Sequence, residues 1–337
     1  MAKGLPRRFV LLSALAMGAA PLQAQSAPVP APPGGSGLVS WADGPARRAI
    51  EGFVERATTP GPAFVPPEER IATFDNDGTL WCEQPMYFEG VFAIDRAREL
   101  AAKDPSLKSR PVFKAIADND ASALAGLGEK EIAELVGATH AGMTTDAFQQ
   151  IVQAWFAKAR HPRFGRPYSD LVYQPQLELL AYLRGAGFKT YIVSGGGVDF
   201  MRAFAARAYG VPPEQTIGSS GKTRFEMRGG RAVLLKTAEI GSIDDHAGKP
   251  QNIQLQIGRR PVIAVGNSDG DLEMLQYSAS AARPSLQLLV HHDDAGREYA
   301  YDRQSKIGTL DKAWDEAKAG GWTVVSMKDD WRAVFPG

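Results

Sequence analysis

Two aspartates one residue apart, Asp75 and Asp77, follow the apolar run Ile71-Ala72-Thr73-Phe74 and precede Gly78-Thr79-Leu80. Side chains alternate along an extended segment, so both carboxylates face one side at the C-terminal tip of a β-type run. Ligands bind beyond that tip in open α/β sheets. Two converging carboxylates repel each other unless a cation or a shared proton relieves them. Taken alone, Asp-x-Asp-Gly also describes a surface turn.

Three later segments narrow the choice. Thr190-Tyr191-Ile192-Val193-Ser194 is an apolar strand ending in a hydroxyl, and Gly195-Gly196-Gly197 follows it. Such a turn exposes backbone N–H groups as an anion cradle beside Ser194. It is not the G-x-G-x-x-G of a dinucleotide site, and no acidic ribose partner follows at the usual distance. Lys249 directly precedes Pro250, which suits the first turn of a helix. A cation there opposes the helix dipole and is easier to explain with anions nearby. Lys236 is the competing lysine, and Lys249 is preferred because it leads into the last segment. That segment, Val262 to Met274, is a buried strand followed by the acid-rich loop Asn267-Ser268-Asp269-Gly270-Asp271.

Together, in this order, the four segments resemble the motifs of the haloacid dehalogenase-like hydrolases, over roughly residues 70 to 290. The resemblance implies Asp75 as nucleophile and Asp77 as general acid/base, with Asp77 arguing against the family's dehalogenases. It implies Ser194, Lys249 and backbone N–H groups near Asn76 to Gly78 as phosphate-binding groups. Mg²⁺ would be held by Asp75, the Asp77 carbonyl oxygen and the Asn267/Asp271 loop. Asn267 stands where the family usually has Asp. An amide oxygen still ligates Mg²⁺ but brings no charge, and Asp269 or Asp271 is left to supply the missing carboxylate. The implied reaction is hydrolysis of a small phosphorylated substrate through an aspartyl-phosphate. Phosphoryl transfer to an alcohol, or binding of a phospho-ligand with weak catalysis, are the alternatives. The nearest branch in pattern is the phosphoserine phosphatases, in which an acid soon after the first motif grips the substrate amine. Glu83 is eight residues after Asp75 and Gln84 nine, so that register is open. Glu83, Tyr87, Gly195 and Arg202 are the candidate substrate contacts.

These groups need a frame. Strands alternating with helices imply a Rossmann-like, mostly parallel sheet covered on both faces. From Tyr87 to Phe164 the apolar spacing is helical and largely strand-free, which predicts an inserted helical cap over 85–165. The rest of the hydrolase core is expected over 41–84 and 166–337, with helices at Pro45–Thr58 and Gln174–Gly185. A hairpin around Gly229-Gly230 and a possible edge strand at Trp322–Met327 complete the prediction.

The chain has 337 residues, 44% hydrophobic and 23% charged, with zero formal net charge. Nothing basic suggests nucleic acid as a partner. The single cysteine, Cys82, excludes an intrachain disulfide and reads as a packing residue. Lys3, Arg7 and Arg8 precede an apolar run, Phe9 to Ala20, too short to span a bilayer comfortably. Residues 1–24 are therefore read as a signal peptide, with 25–40 as a flexible linker. The expectation is a periplasmic or secreted protein with no stable membrane anchor after cleavage. Finally, His291-His292-Asp293-Asp294 follows the last buried strand. It reads as a loop or pocket rim, since adjacent strand residues point oppositely and rarely share one ion.

Overall fold

The computed structural model describes residues 37–120 and 129–337. The signal segment 1–24, most of the linker at 25–40 and the Gly126-Leu127-Gly128 break lie outside the described residues.

Eight strands form one sheet: β1 Ile71–Phe74, β2 Lys189–Gly197, β3 Thr216–Arg228, β4 Arg231–Ser242, β5 Ile263–Gly266, β6 Leu286–Asp293, β7 Ala300–Tyr301 and β8 Thr323–Ser326. Their order is β4-β3-β2-β1-β5-β6-β7, with β8 also on β6. The pairs β1–β2, β1–β5, β2–β3, β5–β6 and β6–β8 are parallel, while β3–β4 and β6–β7 are antiparallel. The apolar run Ile71–Phe74 is buried along its whole length between two parallel neighbours. That is the pattern expected of a strand covered on both faces.

The alternation of side chains divides the core. Phe74, Ile192, Val265 and Leu288 belong to one apolar cluster. Their sequence neighbours Val193, Ala264 and Leu289 belong to a second, with Ile253 and Leu275. Period-two alternation sends consecutive residues to opposite faces, so helices cover the sheet on both sides. At one margin, Pro45–Thr58 (α1) buries Ala46, Ile50, Phe53, Val54 and Ala57, spaced along one helical face.

Between β1 and β2 stand α2 Phe88–Lys103, α3 Pro111–Ala117, α4 Glu129–His140 and α5 Thr145–Lys158. Thr144 caps α5 by accepting from the Ala147 N–H. Aromatic packing ties this helical insertion to the end of β1. Trp81 stacks on Phe204 at 4.5 Å and lies 4.7 Å from Phe88, with Phe156 behind. Gln174–Gly185 (α6) then leads into β2.

Local differences from the sequence reading have physical causes. The β3–β4 hairpin pairs against the insertion midway along β4: Lys236 N–H donates to the Met143 carbonyl and Gly142 N–H to the Lys236 carbonyl. The strand of Ser194 runs on to Gly197, with a register shift against β3 between Ser194 and Gly197. Trp322–Met327 does yield a strand, β8, paired on one side to β6. No helix among the described residues is long and apolar enough to cross a membrane.

Candidate active site

The ends of three adjacent strands converge. Asp75 follows β1, and its N–H donates to the Val265 carbonyl, so the β1–β5 ladder carries it into position. The chain then turns on Asn76, whose carbonyl receives the N–H groups of Thr79, Leu80 and Trp81. Gly78 sits at φ +74, the left-handed region that favours glycine. Trp81 Nε1–H donates to Asp77 Oδ1 at 2.8 Å and fixes that carboxyl. Ser194 is buried near the end of β2, and its Oγ accepts from the Gly196 N–H. Asp271 begins just past β5, where its Oδ2 accepts from the N–H groups of Asn267 and Ser268.

Lys249 joins these pieces. It lies in the first turn of the helix Gly248–Gln256 and is 2% exposed. Its Nζ donates to Asp75 Oδ1 at 2.6 Å, Asp271 Oδ1 at 2.5 Å and the Val193 carbonyl at 3.0 Å. A buried ammonium with three acceptors is satisfied, and a cation at a helix start is explained by the carboxylates it meets. The rival Lys236 is elsewhere, bonded to Asp199 and lying over the Phe148 ring.

Burial dominates the electrostatics. It pushes the Asp75 carboxyl well above the usual range, Asp271 adds to this, and Lys249 pulls it back. Burial likewise raises Asp77 to about 6, against a lowering hydrogen bond from Trp81. For Lys249, burial disfavours the charge, but Asp271 and Asp75 outweigh it and hold the lysine above its ordinary value.

These residues line a cavity of roughly 510 Å³ between the sheet ends and the insertion. Asp75, Asp77, Ser194, Gly195, Lys249 and Asp271 all face it, and so does Tyr87, whose hydroxyl accepts from the Gly308 N–H. The remaining candidates are placed differently. Arg202 turns to the carbonyls of Pro213 and Thr216 and is not brought to the cavity. Asp269 uses Oδ1 to accept from Asp311 and Ala313 N–H groups, capping the helix Lys312–Gly320. Glu83, though only 1% exposed and bonded to Asn267 and Tyr301, does line the cavity.

Some contributors carried no clear sequence signal. Glu89, from α2, accepts from the Gly197 N–H at 2.6 Å and stands 3.4 Å from His140 Nε2, so the insertion meets the glycine turn directly. In the His-His-Asp-Asp stretch only His292 turns to the loop that follows β1. Its Nε2 bonds the Gly78 carbonyl at 2.7 Å, and its Nδ1 faces Glu298 at 3.2 Å. Tyr301 stacks on its ring. His291 instead packs on Trp314, with Asp293 and Asp302 at 3.6 and 3.7 Å. The alternation of adjacent strand residues separates the two imidazoles.

The donor set fits a hard divalent cation. Among the described residues no three His, Cys, Asp or Glu side chains form a metal-binding group. The set offered here is smaller: the Asp75 carboxylate and the Asp77 carbonyl, both oxygen donors suited to Mg²⁺ with water completing the shell. Asp75, Asp77, Glu83 and Asp271 gather carboxyl groups here, and Lys249 is the only lysine or arginine among the described cavity-lining residues. That excess of buried acid is what a cation would offset. Asp271 already has both oxygens engaged, by Lys249 and by the loop N–H groups, and the Asn267 amide oxygen accepts from the Thr79 hydroxyl.

No curated protein matches this chain. Among solved structures it is similar to a conserved functionally unknown protein from Anaerococcus prevotii, with 15% identity, 82% of this chain and 90% of that chain covered, and a TM-score of 0.51. A protein with unknown function from Bordetella pertussis aligns at 19% identity over 76% and 98% of the two chains, TM-score 0.49. A probable phosphoserine phosphatase from Vibrio cholerae aligns at 15% identity over 79% and 61%, TM-score 0.39. Identities this low speak to fold alone, and only the first score supports even that. The family model described as haloacid dehalogenase-like hydrolase matches residues 72–276, from β1 through the acidic loop. The chain belongs to the haloacid dehalogenase-like hydrolases.

Proposed function

We propose that this hydrolase is an exported, Mg²⁺-dependent phosphomonoesterase that works through an aspartyl-phosphate on a small phosphorylated metabolite. One observation carries the reading: Lys249 bridges Asp75 and Asp271 at the floor of a cavity that also holds Asp77 and Ser194. Family membership adds the reaction class. The basic, then apolar, start of the sequence is the support for export.

Lys249 favours the anionic form of Asp75 against the effect of burial and occupies Oδ1, which leaves Oδ2 to attack phosphorus. The Ser194 hydroxyl, the Lys249 ammonium and backbone N–H groups of the Asn76–Gly78 turn receive the equatorial oxygens. Asp77, raised to about 6, holds a proton for the leaving alkoxide at mildly acidic pH, where an ordinary aspartate would already have lost it. The same carboxylate then takes a proton from the water that releases phosphate. When bound, Mg²⁺ offsets the repulsion between phosphate and carboxylates. The helices of the insertion close over the cavity and set the size of the alcohol that enters.

The test is phosphate release from a panel of monoesters, with Mg²⁺ or EDTA, by the wild-type protein and Asp75→Ala. The reading expects Mg²⁺-dependent release that Asp75→Ala abolishes while the circular dichroism spectrum stays native. Release that survives the substitution, or none from any ester, contradicts it.

A further inference from the structure

We propose that the cavity takes the phosphate ester of an apolar alcohol, an alkyl or aryl group, and that Gly90 sets how large that group can be. The inference rests on the phosphomonoesterase reading and names its substrate class. A Cβ on Gly196 would stand 3.6 Å from Asp77 Oδ2 and 3.3 Å from Glu89 Oε2, so the acid and the start of α2 flank one glycine turn. The alcohol that takes its proton from Asp77 therefore extends toward the insertion. There α2 contributes Gly90, Ala93 and Ile94, α4 contributes Leu135 and Val136, and Met86 precedes α2. Gly90 and Ile94 are four apart and share a helix face with Ala93. Val136, at 45% exposed, is the outermost member of this apolar wall. The polar groups that the insertion adds to the lining are turned to protein partners. Glu89 accepts from the Gly197 N–H and faces His140 Nε2, while His140 Nδ1 lies 2.7 Å from Thr139 Oγ1. The Tyr87 hydroxyl accepts from the Gly308 N–H. A carbon chain fits such a wall, whereas a polyol would give up water without replacement hydrogen bonds.

Gly90 carries the size limit. It lies in the first turn of α2 and its φ is not in the left-handed region, so the backbone does not call for glycine. Glycine weakens a helix there relative to alanine. A Cβ built on it would have Met86 as its neighbour, 3.4 Å from Cγ and 3.5 Å from Sδ, which is ordinary contact. What the missing side chain leaves is room in the cavity wall beside Ala93 and Ile94. A larger residue at 90 takes that room away.

The test reads binding apart from turnover. Ethyl-, butyl- and hexylphosphonate, which are not hydrolysed, are titrated calorimetrically with Mg²⁺ present into the wild-type protein, Gly90→Ala and Gly90→Leu. In parallel, kcat/KM is measured for the matching phosphate esters and for glucose 6-phosphate, all of which leave as primary alkoxides. The wild-type protein is expected to gain about fourfold in affinity and in kcat/KM per added methylene, and to prefer hexyl phosphate to glucose 6-phosphate by about a hundredfold. Gly90→Leu is expected to cut the hexyl-to-ethyl ratio about tenfold or more, and Gly90→Ala to cut it less, without lowering the melting temperature of Gly90→Ala. If Gly90→Leu does not fold, the Gly90→Ala ratio decides, and an unchanged ratio there overturns the role of Gly90. Affinity and rate indifferent to chain length, or glucose 6-phosphate turned over faster than hexyl phosphate, overturns the inference and leaves the phosphatase reading standing. Affinity that grows with chain length while no ester is hydrolysed fails the phosphatase reading and leaves the apolar subsite standing.

Discussion

The Lys249 ammonium lies 2.6 Å from Asp75 Oδ1, although the two residues are 174 positions apart in the chain. The helix after β4 and the end of β1 are thereby held together by a buried charge pair, with Asp271 as its third member. Such a pair is a weak source of net stability, but breaking it leaves uncompensated buried charge.

Lys249→Met therefore tests structure and chemistry at once. It should lose phosphate release entirely and cost about 3–5 kcal/mol of stability, because Asp75 and Asp271 are left without their cation. Urea unfolding followed by circular dichroism measures the cost. A loss below about 1 kcal/mol would show that the carboxylates find other relief.

Asp77 sets the pH dependence of turnover. Its carboxyl, raised to about 6, must be protonated to assist an alkoxide leaving group. kcat/KM for an alkyl phosphate should fall as pH rises through about 6. Asp77→Asn should slow alkyl esters by about 10²- to 10⁴-fold. An aryl ester, whose leaving group needs little protonation, should suffer much less. Equal losses for both esters would remove Asp77 from the role of acid.

The same burial predicts how metal-free stability responds to pH. Asp75, Asp77 and Glu83 all carry carboxyl groups raised above their ordinary values, chiefly by burial. The folded protein then holds protons that the unfolded chain has lost, so stability falls as pH rises through the raised values. For Asp77 alone, about 6 against an ordinary 3.8 corresponds to about 3 kcal/mol lost by neutral pH. Lys249, raised from above 10, contributes nothing to a change in this window. Differential scanning calorimetry in EDTA should give a higher melting temperature at about pH 5 than at about pH 7.5, and Asp77→Asn should narrow the gap. A rise in stability between those two values would contradict the sign.

The fold was legible where residues answer to one local rule. Strand runs such as Ile71–Phe74 and Ile263–Gly266 are apolar throughout because both faces are covered, and the spacing of Asp75 and Asp77 places them at a strand tip. Lys249 could be singled out because a cation at a helix start asks for anions. What stayed hidden depends on long-range packing. Arg202 and Tyr87 look alike as candidates in sequence, yet one turns to the carbonyls of Pro213 and Thr216 and the other lines the cavity. Asp269 and Asp271 are two residues apart in one loop, but the first caps a distant helix and the second meets Lys249. His292 supports Gly78 from 214 residues away, and no local pattern marks it apart from His291.

The central claim is a covalent phosphoryl group on Asp75. The most direct measurement is to mix the protein with a hydrolysable phosphomonoester and Mg²⁺, quench in acid during turnover, and reduce with borohydride, which converts an acyl phosphate on aspartate to homoserine. Peptide mass spectrometry then reads the site. The account predicts homoserine at position 75, dependent on substrate and absent from Asp77→Asn quenched without ester. Active turnover with aspartate intact at 75, or reduction at another residue, would contradict it.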